Sequence, residues 1–179
     1  MDENRGYLVL TAVGPDRPGL VNDLSSLFAA AGANLEDSRM AVRGGEFAVI
    51  LLVSGSADAL DRVRQVSGQV ESELGLRCLL KDTSPPHPPA DYLLYRIEVT
   101  GVDRPGIVQA IAGILAKRNI NVASLDSHLS YAPFSATPMF VLVADLQVPS
   151  STVLSELRHE VAATCDEENL DFHLELAGT

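Results

Sequence analysis

Three features are scarce in this sequence: cysteine, long apolar runs and positive charge. Its 179 residues include two cysteines, Cys78 and Cys165, which are too few for a disulfide framework and favour a reducing compartment. No apolar run approaches the roughly 20 residues that a membrane-spanning helix needs. The acidic residues 1–5 lack the apolar region of a signal peptide. We therefore expect a cytoplasmic protein that does not associate with a membrane.

Basic residues are few and are not clustered. Lys and Arg number 13 against 24 Asp and Glu, which gives a net charge of −11. Residues 1–83 carry 8 basic and 12 acidic side chains, net −4, and residues 84–179 carry 5 and 12, net −7. Because neutralisation of phosphates by Lys and Arg dominates affinity for DNA, we expect no direct binding of nucleic acid. The acidity by itself indicates solubility.

The sequence also lacks the signatures of catalysis, metal binding and phosphate binding. Its four histidines are scattered and have no i, i+4 partner and no Cys-x-x-Cys motif beside them. No Gly-x-Ser-x-Gly motif occurs, and neither cysteine lies in a catalytic signature. The glycines of residues 101–106 fit neither the dinucleotide-binding pattern nor the P-loop pattern. We expect no enzyme, no cofactor and no bound metal.

An internal repeat is the strongest feature that the sequence does contain. Residues 13–21, Val-Gly-Pro-Asp-Arg-Pro-Gly-Leu-Val, return 87 positions later at residues 100–108 as Thr-Gly-Val-Asp-Arg-Pro-Gly-Ile-Val. The apolar residues that follow keep this offset and the i, i+3/i+4, i+7/i+8 spacing of an amphipathic helix. The offset grows after a looser loop around residues 131–138. Cys78 and Cys165 are therefore not equivalent, although they also differ by 87.

A proline-rich segment separates the two copies. Residues 83–90 contain four prolines, which cannot lie in a helix interior or a central strand and which favour an extended spacer. We predict module 1 at residues 1–83, a linker at 84–90 and module 2 at 91–179. Modules of this size bury marginal cores, so we expect them to pack on each other or on a second chain.

Both copies have the same predicted order of elements. Apolar patterns predict strands at residues 7–13, 35–42, 47–53 and 76–81 in module 1, and at 92–100, 122–129, 139–146 and 170–176 in module 2. Helices are predicted at 18–31 and from 56 onward in module 1, and at 106–118 and 151–165 in module 2. Pro18 is expected in the first helical turn, where its missing N–H has no partner. The order βαββαβ indicates an α+β, ferredoxin-like module with two helices on one face of four antiparallel strands.

The two Asp-Arg-Pro-Gly turns, each followed by a helix and then an asparagine, resemble the ACT domain family of ligand-sensing modules. Residues 32–40, Gly-Ala-Asn-Leu-Glu-Asp-Ser-Arg-Met, and the two-module architecture resemble the glycine cleavage system transcriptional repressor family. That resemblance implies modules paired side by side, in one chain or as a homodimer, with an amino-acid effector near the first strand-to-helix turn. Glycine is the effector that the family indicates. The resemblance also implies regulation through a separate DNA-binding regulator protein.

The candidate effector-binding residues lie in these turns and after the first helix of each module. They are Asp16, Arg17, Pro18, Gly19 and Asn34 in module 1, and Asp103, Arg104, Pro105, Gly106 and Asn121 in module 2. Glycine lets the backbone approach a ligand, and the free N–H groups of a helix start favour a carboxylate.

Each of these residue types also has a structural role open to it. The aspartates can cap the helix instead of holding an α-ammonium group. The arginines can be solvated instead of binding a carboxylate. The asparagines can adopt the left-handed conformation that ends a helix.

Three functions are compatible with the sequence. The first is an amino-acid-sensing regulator that acts through protein contacts. The second is an interaction module that binds no ligand, and the third is a detached regulatory subunit of an amino-acid metabolic enzyme.

Overall fold

A computed structural model describes residues 5–84, 91–131 and 135–177 of the chain. The chain divides into two units, Met1–Pro88 and Pro89–Thr179, which are called module 1 and module 2 below. The predicted linker lies outside the described residues except for Ser84, and so does the middle of the loop predicted at residues 131–138. Within the described ranges, no helix is long and apolar enough to cross a membrane.

The two modules have the same order of strands and helices. Module 1 contains β1 (Gly6–Pro15), α1 (Leu20–Ala30), β2 (Asn34–Arg43), β3 (Glu46–Gly55), α2 (Ala57–Leu74) and β4 (Arg77–Thr83). Module 2 contains β5 (Tyr92–Val102), α3 (Ile107–Lys117), β6 (Asn121–Tyr131), β7 (Pro138–Pro149), α4 (Leu154–Glu167) and β8 (Leu170–Leu176). The antiparallel sheets have the orders β2-β3-β1-β4 and β6-β7-β5-β8, which confirms the two predicted ferredoxin-like modules.

The sheet register shows where the two repeats differ in length. Gly14 pairs with Phe47 in module 1, and its equivalent Gly101 pairs with Phe140 in module 2. The offset between the modules is therefore 87 in β1 and β5 but 93 in β3 and β7, because 140 − 47 = 93. The six added residues lie in the connection between β6 and β7, where the sequence predicts a looser loop.

The last strands carry a further shift of one residue. Ala12 pairs with Cys78, and its equivalent Val99 pairs with Phe172, so the offset there is 94, because 172 − 78 = 94. Cys165 lies on α4. The two cysteines occupy different elements, as the sequence predicts.

Each module has its own apolar core between its two helices and one face of its sheet. Successive side chains of a strand point to opposite faces, so Leu8 and Leu10 of β1 are buried while their neighbours are partly exposed. Leu24 and Phe28 of α1 cover them from one side. Module 2 has the same arrangement. The sheet face opposite the helices is called the open face below.

The fourth helix begins later than predicted. The sequence places its start near Ser151, but α4 begins at Leu154. The N–H of Thr152 donates to the carbonyl oxygen of Pro149 at 2.9 Å, which closes a turn before the helix. Ser151 is thus part of this turn and not the start of the helix.

Candidate functional site

Each Asp-Arg-Pro-Gly motif forms a turn that leads directly into a helix; the motifs are called turn 1 (residues 16–19) and turn 2 (residues 103–106). Gly19 has φ 91° and ψ −12°, and Gly106 has φ 103° and ψ −12°. These angles suit the third position of a type II turn, which favours glycine, while proline suits the second position. In turn 1 the N–H of Leu20 lies 3.5 Å from the carbonyl oxygen of Arg17. The proline and the glycine of the motif are therefore explained by backbone geometry alone.

Two predictions about these turns are wrong. Pro18 precedes α1 instead of lying in its first turn, and the glycine is the N-cap residue in each module, without a side-chain capping bond. Neither Asp16 nor Asp103 therefore caps a helix. Their backbone N–H groups donate to the carbonyl oxygens of Gly45 at 3.0 Å and Pro138 at 3.1 Å. These bonds hold each turn against the neighbouring strand connection.

The arginines of the two turns have different partners. Nη2 of Arg17 lies 3.0 Å from Oδ2 of Asp23 on α1. Arg104 instead pairs with the carboxylate of Glu168, at the end of α4, and donates to the backbone oxygen of that residue at 2.7 Å. Both arginines are partly exposed. The prediction that they are solvated surface groups thus holds only in part, because each also forms an ion pair within its own module.

The exchange of partners follows from two differences between the repeats. Module 2 has Ala110 where module 1 has Asp23, and module 1 has Leu74 where module 2 has Glu168. A carboxylate therefore lies on the first turn of α1, with Oδ2 of Asp23 only 4.0 Å from where a Cβ at Gly19 would be. The first turn of α3 carries no acidic residue. The N-terminus of α3 thus lacks the carboxylate that lies beside the N-terminus of α1.

Two grooves flank turn 2, and both are lined by Arg104, Pro105 and Gly106. A groove of about 480 Å³ lies between α3 and α4. It is called the polar groove, and its polar lining also includes Gln109, Lys117, Glu160, Thr164 and Glu168. A second groove of about 520 Å³ is mainly apolar and is also lined by Ile107, Val108, Ala112 and Phe140. The open space beside turn 2 is large enough for a small molecule.

Three of the five predicted residues of module 2 meet at these grooves, while Asp103 and Asn121 line neither. Sequence reasoning misses the contribution of α4, above all Thr164 and Glu168. No local pattern marks these residues, because only the pairing of β5 with β8 brings the end of α4 beside turn 2.

The predicted asparagines lie in strands and do not end the helices. The residues with left-handed backbone after α1 and α3 are Gly32, with φ 73°, and Asn119, with φ 57°. Asn34 and Asn121 are the first residues of β2 and β6. Nδ2 of Asn121 donates to Oε1 of Gln147 at 2.7 Å. The left-handed interpretation of both predicted asparagines is therefore wrong.

Asn34 belongs to a network of hydrogen bonds centred on Glu36. Oε1 of Glu36 accepts from Nδ2 of Asn34 at 2.9 Å, from Oγ of Ser54 at 2.5 Å and from Nη2 of Arg5 at 2.6 Å. Nε of Arg5 also donates to Oγ of Ser54 at 2.9 Å, and Ser54 is fully buried. These contacts, the Ser54 hydroxyl first and Asn34 second, hold the pKa of Glu36 below its ordinary value of 4.5. The network fixes the start of β2 against β3.

Replacing Ser54 with alanine is expected to raise the pKa of Glu36 toward 4.5, because the largest cause of its lowering is removed. A carbon-13 NMR titration of the Glu36 carboxyl carbon measures this. A carboxyl whose pKa is lower in the folded than in the unfolded state stabilises the fold above the unfolded value, and this contribution is lost as the pH falls through the folded value. As the pH falls from the unfolded to the folded pKa of Glu36, wild type should therefore lose more free energy of unfolding than Ser54→Ala does. Equal titration curves for Glu36 in the two proteins would contradict the assignment.

The two thiols are poorly placed for nucleophilic chemistry. Burial, and next the charge of Glu71, raises the pKa of Cys78 to about 11. Burial also raises the pKa of Cys165, with Asp166 and Asp171 adding to the effect. Because the thiolate is the reactive form, neither cysteine is activated. No set of three His, Cys, Asp or Glu side chains among the described residues could hold a metal ion.

Comparisons with known proteins agree with this architecture. Family models of the ACT domain match residues 6–79 and residues 95–158. The glycine cleavage system transcriptional repressor of Escherichia coli (strain K12) is 30% identical over 164 residues, which cover 91% of this chain and 86% of that protein.

Two solved structures are similar over almost the whole chain. A structure assigned to a glycine cleavage system transcriptional repressor has a TM-score of 0.74 and 30% identity, and the match covers 98% of this chain and 99% of the other. A protein from Galdieria sulphuraria has a TM-score of 0.79 and 30% identity, with 97% and 99% covered. With two ACT domains in tandem and this similarity along its length, the chain belongs to the family of the glycine cleavage system transcriptional repressor.

Proposed function

We propose that the chain is a cytoplasmic, non-catalytic regulator that senses an amino acid and controls transcription through a partner protein. Its similarity to a transcriptional repressor along most of both chains supports the regulatory role. The net charge of −11 argues against binding DNA directly, so a separate DNA-binding regulator is the expected partner. Both cysteines are free, in accord with a reducing compartment.

The ion pair beside the polar groove is the observation that carries this proposal. Arg104 and Glu168 place a cation and an anion at the mouth of a groove that begins at the N-terminus of α3. A free amino acid is a zwitterion, so its α-carboxylate suits Arg104 and the N–H groups after Gly106. Its α-ammonium group suits Glu168.

Module 2 is the proposed effector-binding module. Asp23 already supplies a carboxylate to Arg17 at turn 1, and a second carboxylate there would meet like charge. At turn 2 the carboxylate beside Arg104 is that of Glu168, at the end of α4, and the first turn of α3 carries no acidic residue. An entering zwitterion would exchange this ion pair, with its carboxylate on Arg104 and its ammonium group on Glu168. Asp103 and Asn121 are proposed to hold the turn and the neighbouring strand in place without touching the effector.

Self-association is part of the proposal. Each sheet has two edge strands, and β2 and β6 are long ones of 10 and 11 residues. An unpaired edge strand is a template for pairing with another strand. Met40 on β2 and Leu129 on β6 are about half exposed. We therefore propose a homodimer joined through an edge strand.

Isothermal titration calorimetry of the full chain against each of the twenty amino acids tests the sensing function. Glycine comes first, because the relative is named for the glycine cleavage system. Saturable heat with at least one amino acid is expected, together with a rise in the thermal midpoint, since a ligand that binds only the folded state stabilises it. An absence of both heat and midpoint shift for every amino acid would sink the proposal.

A further inference from the structure

The open face of module 1 is apolar along its centre. β1 and β3 place Val9, Val13, Ile50 and Leu52 on this face around the polar side chain of Thr11, and β4 adds Leu79. Ile50 is 47% exposed and Leu79 is 69% exposed. Contiguous apolar side chains on the surface of a soluble protein indicate a contact surface.

Three cations flank this apolar centre, and two acidic side chains, Asp37 on β2 and Glu46 on β3, lie on the same face. Arg39 lies on β2 at one edge, and Arg77 and Lys81 lie on β4 at the other edge. Throughout the described parts of the chain, four of the 13 Lys and Arg side chains have no ion pair or hydrogen bond. Three of those four lie on this face. Their charges are therefore available to an external partner.

Module 2 has the opposite chemistry at the equivalent positions. With the offsets of 87 and 94 established by the sheet register, the residues that correspond to Arg39, Arg77 and Lys81 are Asp126, Asp171 and Glu175. Where module 1 has Val9 and Leu52, module 2 has Arg96 and Asp145, which form an ion pair at 2.8 Å. The same backbone thus folds with a charged open face, so the fold itself does not require the apolar and basic face of module 1.

We infer that the open face of module 1 binds an acidic amphipathic helix of a partner protein. β2 and β4 are three strand spacings apart, about 14 Å, and a helix with its side chains is about 10–12 Å wide. One helix therefore fits over β3 and β1, with its apolar stripe on Ile50 and Val9. Carboxylates on its two flanks then face Arg39 on one side and Arg77 and Lys81 on the other.

This inference deepens the proposed function, since it assigns a surface to the partner protein through which the chain acts. The apolar centre favours a protein over nucleic acid, because nucleic-acid contacts are dominated by phosphate and need closely spaced cations. Here Arg39 is separated from the two β4 cations by two strands of mainly apolar side chains.

Fluorescence anisotropy with synthetic helical peptides and the full chain tests the inference. The first peptide carries leucine at i, i+3, i+4 and i+7 with glutamate on both flanks, and the second has lysine in place of every glutamate. The glutamate peptide is expected to bind, with an affinity that falls as salt is added. The lysine peptide is not expected to bind. Leu79→Gln should weaken binding of the glutamate peptide, because it removes an apolar contact and leaves the charges unchanged.

A charge-matched pair of variants separates local contact from net charge. The double variant Arg39→Gln with Arg77→Gln should bind the glutamate peptide with about tenfold lower affinity, which corresponds to about 1.4 kcal/mol. Gln65→Glu with Gln69→Glu changes the net charge by the same amount on exposed positions of α2, on the other face of the same sheet. That control should bind within about twofold of wild type.

Several results would overturn the inference. These are equal binding of the peptide by both double variants, no binding to wild type, or displacement of the peptide by duplex DNA of mixed sequence. Sedimentation showing self-association that Arg39→Gln with Arg77→Gln abolishes would make the occupant a second copy instead. Amino-acid calorimetry is independent of this test. If an amino acid gives binding heat but the peptide does not bind, only the docking surface is contradicted. If the peptide binds but no amino acid gives heat, only the sensing function is contradicted.

Discussion

Replacing Gly14 with alanine is expected to destabilise module 1 by about 3 kcal/mol. A Cβ at this position would lie 2.6 Å from the carbonyl oxygen of Gly75 and 3.2 Å from Cα of Leu76. Both are backbone atoms, so the clash is relieved only if β1 and the start of β4 move apart. Small domains have total stabilities of about 5–15 kcal/mol. Chemical denaturation, followed by amide exchange in β1 and β3, measures the loss.

Two further alanine variants serve as controls for Gly14→Ala. At Gly101, the equivalent position in module 2, the atom nearest to a Cβ is the end of the Leu170 side chain, which can rotate away, so a smaller loss is expected. At Gly68, within α2, nothing lies within 4 Å of a Cβ, and alanine should stabilise the helix by up to about 1 kcal/mol. A loss at Gly14 no larger than that at Gly101 would show that the backbone contact is not the cause.

The fold could be predicted because the repeat supplies every local signal twice. Strand periodicity in one module is repeated in the other, and the turn between Gly44 and Gly45 fits the hairpin that joins β2 to β3. The start of α4 could not be predicted in the same way. Ser151 has the residue type of a helix cap, but the bond from Thr152 to Pro149 closes a separate turn first.

The candidate site could be predicted only as far as its local part. Arg104, Pro105 and Gly106 are neighbours in sequence, so the motif itself locates turn 2. Glu168 is 64 residues away from Arg104, and only the packing of β8 on β5 brings the two together. The first glycine of each motif, Gly14 or Gly101, shows the same limit, because the close approach that requires it comes from a distant strand.

Arg104→Gln is expected to weaken binding of the amino acid that gives heat with wild type by about thirtyfold, since a hydrogen bond to a charged group contributes about 1.5–3 kcal/mol. The glutamine side chain keeps polar atoms in the groove but removes the charge that faces the α-carboxylate. Global stability should change little, because ion pairs as exposed as that with Glu168 contribute little. Calorimetry gives the affinity, and a thermal scan confirms that the variant is folded.

The corresponding change in module 1 decides which turn binds the effector. Arg17→Gln should leave the affinity within about twofold of wild type, because the guanidinium of Arg17 is held by the carboxylate of Asp23. Arg64→Gln is the matched control: it removes the same charge from an ion pair on α2 whose partners, Asp61 and Asp82, belong to neither turn. If Arg17→Gln weakens binding as much as Arg104→Gln while Arg64→Gln does not, both turns bind the effector and Asp23 does not exclude it. If neither Arg17→Gln nor Arg104→Gln changes the affinity, the effector binds away from both turns and the assignment to the polar groove is wrong.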